Sequence, residues 1–388
     1  MFNSGNHLWL FIGVLSIIAY PLYHLHGLAG INKVIPSVGR DTCVKIASPE
    51  NFSFCEDIVL GNDGIAYASC DPARAKRNKV LDYNYFTEGE VIPSGDIWQI
   101  DYTTTPPKVK SIATNSRPTD FHPLGLAVDP QRRFLLAINL PFESDKSLIE
   151  VFTIQEDGSL VHHHTIQHDN IYTPNSLHLV DNSEWQGADG TPSFFFSNDH
   201  YFDTKFLKLI ENTAILPISN VMFYDARSKN AYPVIHGLAF ANGVSGDNST
   251  LFVSECNKRR VHQYNLTLRS NEKDINKAVH LEYVQNVNID MAVDNLDFDP
   301  STGKLVVAGH PKGLDFMQYA VARDRSDPSI PRAASQVVSW TPSQGEVKTL
   351  FSDDGHYYAA STTGALDVTR QKLLISSLYD HGILVCDA

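Results

Sequence analysis

Asp294 and Asn295 set two oxygen-bearing side chains side by side at the start of a short alternating run, Leu296-Asp297-Phe298-Asp299. Carboxylate and amide oxygens are the ligands a hard cation takes. Adjacent residues in a regular strand point to opposite faces. The pair can therefore address one target only from irregular chain leading into the strand. A competing reading is a turn in which Asp and Asn bond backbone amides. The same residue types stand before or at other apolar runs: Glu56 and Asp57, Asn175, and Asn242. None is a cysteine, and histidine is not the repeated type. A set built only from oxygen favours Ca²⁺ over Zn²⁺.

What must position these residues is a repeated strand–turn–strand unit. Asp57-Ile58-Val59-Leu60 runs through Gly61-Asn62-Asp63-Gly64 into Ile65-Ala66-Tyr67, with Cys55 and Cys70 outside it. Similar units begin at Gly125, Asn175, Gly237, Asn295 and Gly364. Their spacing of roughly 50–70 residues is somewhat above a usual propeller blade. Further short strands follow each unit, such as Ile97-Trp98-Gln99-Ile100 and Val337-Val338-Ser339-Trp340. The pattern predicts an all-β, six-bladed β-propeller over residues 30–388, with a pair of β-sandwiches as the alternative. In a propeller the first strand of every blade lines the central channel, so Glu56, Asp57, Asn175, Asn242, Asp294 and Asn295 converge at one end of it. Three long irregular stretches, residues 71–94, 199–217 and 320–334, read as functional loops, and Leu207 to Ile210 as a short helix over one face.

The chain of 388 residues is 43% hydrophobic and 19% charged, as a globular protein is, with net charge −13. Its densest basic patch is Lys258-Arg259-Arg260, which argues against nucleic-acid binding. Leu8 to Tyr23 carries no charge and has the length of a secretory apolar segment. It is short for a full membrane span of roughly 20 residues. Residues 1–29 read as a signal peptide or signal anchor. That places the remainder outside the cell or in the lumen, with possible membrane association through the N-terminus. The sequons at Asn51, Asn248 and Asn265 agree with that route.

Of five cysteines, Cys43 follows the targeting segment and Cys386 stands third from the last residue. In a secreted chain that placement suggests a bridge between the two ends of the fold. Pairing Leu60 with Ile65 and counting outward sets Cys55 opposite Cys70, within disulfide reach. Cys256 is then a free, buried thiol. His162-His163-His164 has the look of a zinc cluster, but strand alternation divides consecutive residues between two faces. The chain contains no Gly-x-Ser-x-Gly elbow, His-Glu-x-x-His or P-loop.

From about Gly30 to Cys386 the chain resembles the paraoxonase/arylesterase family of secreted six-bladed propellers. The resemblance rests on Glu56-Asp57, Phe194 to Phe202 (FFFSNDHYF), Phe240-Ala241-Asn242-Gly243, Val293-Asp294-Asn295 and Gly309-His310-Pro311. It implies a catalytic calcium held by Glu56, Asn175, Asn242, Asp294 and Asn295, and a second, structural calcium near Asp57. It also implies the Cys43–Cys386 bridge and a retained N-terminal apolar segment. Two departures accompany it. The family's histidine dyad falls on Leu124 and Leu140, and its aspartate for the structural calcium falls on Ser176.

Catalytic candidates are then His310, which matches a family histidine near the site, Asp294 beside the metal, and His122, two residues from Leu124. His200 is a further histidine to weigh. The reading that follows is a calcium-dependent hydrolase of small lactones or aryl esters. The alternatives are a calcium-stabilised binding propeller without hydrolysis and a metal-free enzyme like strictosidine synthase.

Overall fold

The computed structural model describes residues 18–388 except 62, 130 and 132. The described residues form six four-stranded antiparallel sheets, whose innermost strands neighbour one another in a closed ring. Those inner strands are Cys55–Leu60, Pro123–Val128, Pro174–Leu179, Ala241–Gly246, Ala292–Asp299 and Ser361–Asp367. We number the blades 1 to 6 in that order. This is the six-bladed propeller the repeats predict. One unit divides differently: Gly237 and Leu238 end the outer strand of blade 3, Asn230–Leu238, and blade 4 begins at Ala241.

Each inner strand is buried on both faces because a sheet packs against it from either side. That is why these strands read as apolar runs. Aromatic side chains fill the wedges between blades: Phe194, Phe196 and Tyr224 lie between blades 2 and 3, and Phe252 meets Phe298 and Trp340 between blades 4 and 5. Blade 6 takes its fourth strand, Cys43–Ile46, from the N-terminal side of the chain. Cys43 pairs there with Cys386, and a disulfide joins the two. Ladder and bridge together close the ring.

A second disulfide joins Cys55 to Cys70, by a route other than the simple count. Leu60 pairs with Ala66, not Ile65, and an extra residue at Glu56 then restores Cys55 to its place opposite Cys70. Cys256 is free and half-buried, and burial pushes its thiol well up.

The three long stretches are the same connection, between the second and third strands of blades 1, 3 and 5. The connections carry the ribbon Arg77–Asn78 with Tyr83–Asn84, the helix Lys205–Thr213 and, ahead of residues 320–334, the helix Gly313–Ala320. All three lie at the end of the propeller where the inner strands begin. The apolar segment Leu8 to Tyr23 falls largely outside the described residues. Residues 18–29 are helical. Gly30 follows them at φ 62°, so close to the chain after His310 that a Cβ there would stand 2.7 Å from the Pro311 carbonyl oxygen. Among the described residues no helix is long and apolar enough to cross a membrane.

Candidate metal centre and active site

Every inner strand carries one extra residue relative to its neighbour, at the same height in all six blades. A bulge of this kind leaves a residue unpaired and bends the strand locally. Two consecutive residues at the bulge are thereby freed from alternation. In chain order these pairs are Glu56-Asp57, Leu124-Gly125, Asn175-Ser176, Asn242-Gly243, Asp294-Asn295 and Thr362-Thr363. Asp294 and Asn295 thus sit inside a strand, Ala292–Asp299, rather than in irregular chain before it. Their shared role rests on the bulge. Glycine is required at the second position of blade 4. A Cβ on Gly243 would lie 2.6 Å from the Asp294 carbonyl oxygen and 2.8 Å from Asn295 Cα.

Hydrogen bonds tie many of the polar groups around these residues and leave a set of oxygens open. Asn295 donates through Nδ2 to Glu56 Oε1 at 2.9 Å and to Thr363 Oγ1 at 3.0 Å. Asn175 donates through Nδ2 to Asp199 Oδ2 at 3.1 Å. Asp199 is held in turn by His200 Nδ1 at 2.7 Å, and His200 Nε2 meets the Asn212 amide of the overlying helix at 2.9 Å. His200 is therefore a positioning residue for Asn175. The Glu56 carbonyl oxygen accepts from the hydroxyls of Thr362 and Ser376. Left without any partner, though buried, are Glu56 Oε2, Asn175 Oδ1, Asn242 Oδ1 and Asn295 Oδ1. Buried oxygens without donors are costly. Four at one level, with Asp294 beside them, suit an oxygen-coordinated Ca²⁺.

The charge balance points the same way. Glu56, Asp57 and Asp294 are all buried. Burial, then the charges of Asp57 and Asp294, push the Glu56 carboxyl well above its usual range, and Arg74 pulls it down only in part. Burial also raises Asp57 to about 7, against hydrogen bonds from Leu126, Thr363 and Ile58. A divalent cation offsets such a cluster.

Asp57 otherwise differs from the set. Its Oδ1 accepts from the Ile58 amide and Thr363 Oγ1, and its Oδ2 from the Leu126 amide. Ser176 Oγ accepts from the Val244 amide. The groups named for a second calcium are thus taken up by hydrogen bonds, and Asp57 shows no unpartnered oxygen of the kind that Glu56, Asn175, Asn242 and Asn295 show.

The three histidine candidates have distinct settings. His310 Nε2 lies 3.2 Å from Asp294 Oδ2. Its ring stacks on Phe316 of the overlying helix, with centroids 3.7 Å apart. A carboxylate only accepts, so Nε2 carries the proton and Nδ1 keeps its lone pair. That Nδ1 is buried without a partner. His122 faces Asp71 through Nδ1 at 3.1 Å and Asp120 through Nε2 at 3.3 Å. Both of its ring nitrogens thus face carboxylates, whereas Nδ1 of His310 stands without a partner.

A cavity of about 410 Å³ opens beside Asn175, lined by Leu140, Tyr172, Pro174, Asp199, Lys79 and Lys208 among others. A larger one, about 890 Å³, lies at the far end of the channel against Asp297, Asp299 and Asp367. The larger cavity reaches Asp57 and Asn295, and the smaller one meets the site through Pro174 and Asp199, the partner of Asn175.

The model of the family described as Arylesterase matches residues 90–388. The chain belongs to the arylesterase family. Among curated relatives it is 28% identical to Serum paraoxonase/lactonase 3 of Oryctolagus cuniculus over 367 residues, 92% of each chain. It is 30% identical to Serum paraoxonase/arylesterase 1 of Rattus norvegicus, over 76% of this chain and 77% of the relative. Serum paraoxonase/arylesterase 2 of Homo sapiens is 28% identical over similar shares, 76% and 77%. Within this arylesterase-family chain, Leu124 and Leu140 are buried in one apolar cluster with Ile138, Ile171 and Leu177. Thr362 and Thr363 are site residues that the sequence reading overlooked. Their signal was position: they precede Gly364 as Asp294 and Asn295 precede Leu296.

Proposed function

We propose that this chain is a calcium-dependent hydrolase of small lactones or aryl esters. Residues 30–388 form its catalytic propeller, and Glu56, Asn175, Asn242, Asp294 and Asn295 hold one Ca²⁺. The observation that carries the reading is the set of four buried oxygens without partners at one level of the channel. Bound Ca²⁺ would supply carbonyl polarisation and a counter-charge for the oxyanion.

The rest falls to the chain. Asp294 fixes the tautomer of His310, and Phe316 fixes the plane of its ring. Nδ1 of His310 accepts the proton of the attacking water, as a general base must. The cavity beside Asn175 receives the substrate, and Leu124 and Leu140 give the site a dry wall where relatives of this family carry a histidine dyad. The N-terminal segment directs the protein to the secretory route as signal or anchor. Asn51, Asn248 and Asn265, all exposed, are the glycan acceptors.

A second reading, a binding propeller without hydrolysis, is favoured by those same two leucines. One experiment separates the two. A panel of lactones and aryl esters is assayed with calcium, after chelation, and after restoring Ca²⁺ or Zn²⁺. Turnover that chelation removes and Ca²⁺ alone restores supports the hydrolase. Calcium-dependent folding with no turnover on any substrate supports the binding protein.

A further inference from the structure

On the outer edge of blade 2, far along the sheet from the channel, two histidines and an aspartate face one another. Strand alternation would separate His163 from His164. The strand Leu160–Ile166 breaks that rule: Val151 pairs with His164 and Phe152 with His162, which leaves His163 as the extra residue of a bulge. His162 turns to Glu150, with Nε2 2.8 Å from Oε2. His163 and His164 turn instead to Asp189, in the loop between the first two strands of blade 3.

His163 Nε2 and His164 Nδ1 each lie 3.8 Å from Asp189 Oδ2. That is too long for a hydrogen bond. It is close to the roughly 3.4 Å between ligand atoms around a tetrahedral ion with bonds of about 2.1 Å. All three ligand atoms lie within 4.8 Å of one another, so side-chain rotations that bring them closer by up to about 1.4 Å complete the triangle. Asp189 Oδ1 accepts from the Thr191 amide at 3.1 Å, which presents Oδ2 to the histidines, as outer hydrogen bonds do for metal ligands. The His163 ring rests on Phe134. Burial, ahead of other influences, lowers the His164 pKa, and the neutral imidazole is the ligating form.

We propose that His163, His164 and Asp189 bind a divalent transition-metal ion of the zinc class, clipping the outer strand of blade 2 to the loop of blade 3. Two imidazoles and one carboxylate suit Zn²⁺ and disfavour Ca²⁺. Three protein ligands leave a fourth position for water. The site shares no residue with the channel and stands whether or not the protein is a hydrolase.

The test uses the full chain, saturated with Ca²⁺, titrated with Zn²⁺ in competition with a chromogenic zinc chelator. The expected result is one equivalent of tight Zn²⁺ and a rise in Tm. His164→Ala and Asp189→Asn should each weaken that binding at least tenfold and abolish the Tm rise, while the Ca²⁺-dependent melting stays as in the parent. Asp189→Asn keeps the shape and guards against a variant that fails to fold. No zinc uptake by the parent overturns the proposal. So does uptake that both variants retain at full affinity.

Discussion

Asn295 Nδ2 donates to Glu56 Oε1 at 2.9 Å, joining residues 239 apart in the chain and two blades that flank a third. The bond turns one amide into two devices, a brace for the Glu56 carboxylate and an open oxygen. Asn295→Ala removes both. We expect calcium affinity to fall by about 10–100-fold, and Tm to stay below the parent's even at saturating Ca²⁺. Asn242→Ala removes an oxygen without opening the Glu56 bond, and excess Ca²⁺ should restore most of its Tm. Equal recovery of the two variants in calcium-titrated melting would refute the brace.

Removing calcium leaves Glu56, Asp57 and Asp294 facing one another with Arg74 as their cation. An ion at a hundred times its dissociation constant stabilises the folded state by about 2.7 kcal/mol. Chelation should therefore lower Tm by several degrees, and graded Ca²⁺ should restore it. A melting curve indifferent to chelator would remove the ion from the channel.

His310→Gln removes the open lone pair and keeps the ring's neighbours. We expect a loss of about 10²–10⁴-fold in kcat, with calcium affinity within a few-fold of the parent. Asp294→Asn should lower kcat at saturating calcium as well, because it frees the imidazole to adopt the wrong tautomer. Full turnover by His310→Gln across pH 6–9, the range over which we take a neutral histidine to serve as base, would pass the role to Asp294.

Replacing Leu124 and Leu140 by histidine does not rebuild a dyad in this setting. Both side chains pack among Ile138, Ile171 and Leu177, and an imidazole there lacks hydrogen-bond partners. The double variant should be less stable by roughly 2–5 kcal/mol, with no gain in esterase rate. A faster, equally stable variant would contradict this.

Glu255 sets an acid limit on the fold. Burial raises its carboxyl, but bonds from His262, Lys258 and the Ala239 amide outweigh that and hold it at about 2. A carboxyl depressed in the folded state stabilises fully above its unfolded value of 4.5. That stability is lost as pH falls toward 2, because the unfolded chain binds the proton first. Glu255→Gln should be less stable at pH 7 by roughly 3 kcal/mol and show a flatter stability profile between about pH 4.5 and 2. Urea unfolding across that range is the measurement.

Much of this architecture can be read in the chain, and the gaps have one common cause. Apolar runs at regular spacing announce six blades, because each inner strand must be buried on both faces. Oxygen donors before those runs suggest a cation, and in the folded chain four of their oxygens stand buried without a partner. An extra residue in a strand leaves no trace in the hydrophobic pattern. Alternation therefore misplaces Asp294 and Asn295, pairs Leu60 with the wrong residue, and separates His163 from His164. Partners hundreds of residues away, such as Thr363 for Asn295 or Asp71 for His122, become neighbours only once the ring closes.

That closure has a consequence for how the protein is made. The Glu56 carbonyl is gripped by Thr362 and Ser376, which the ribosome adds more than 300 residues later. Blade 6 also waits for its own C-terminal strand before Cys43 can find Cys386. A nascent chain with five blades translated therefore carries Glu56 and Asp294 on unbraced strands. The oxygens proposed to hold calcium come together only at the end of synthesis, so loading of that ion and oxidative closure would fall at the same late step of maturation.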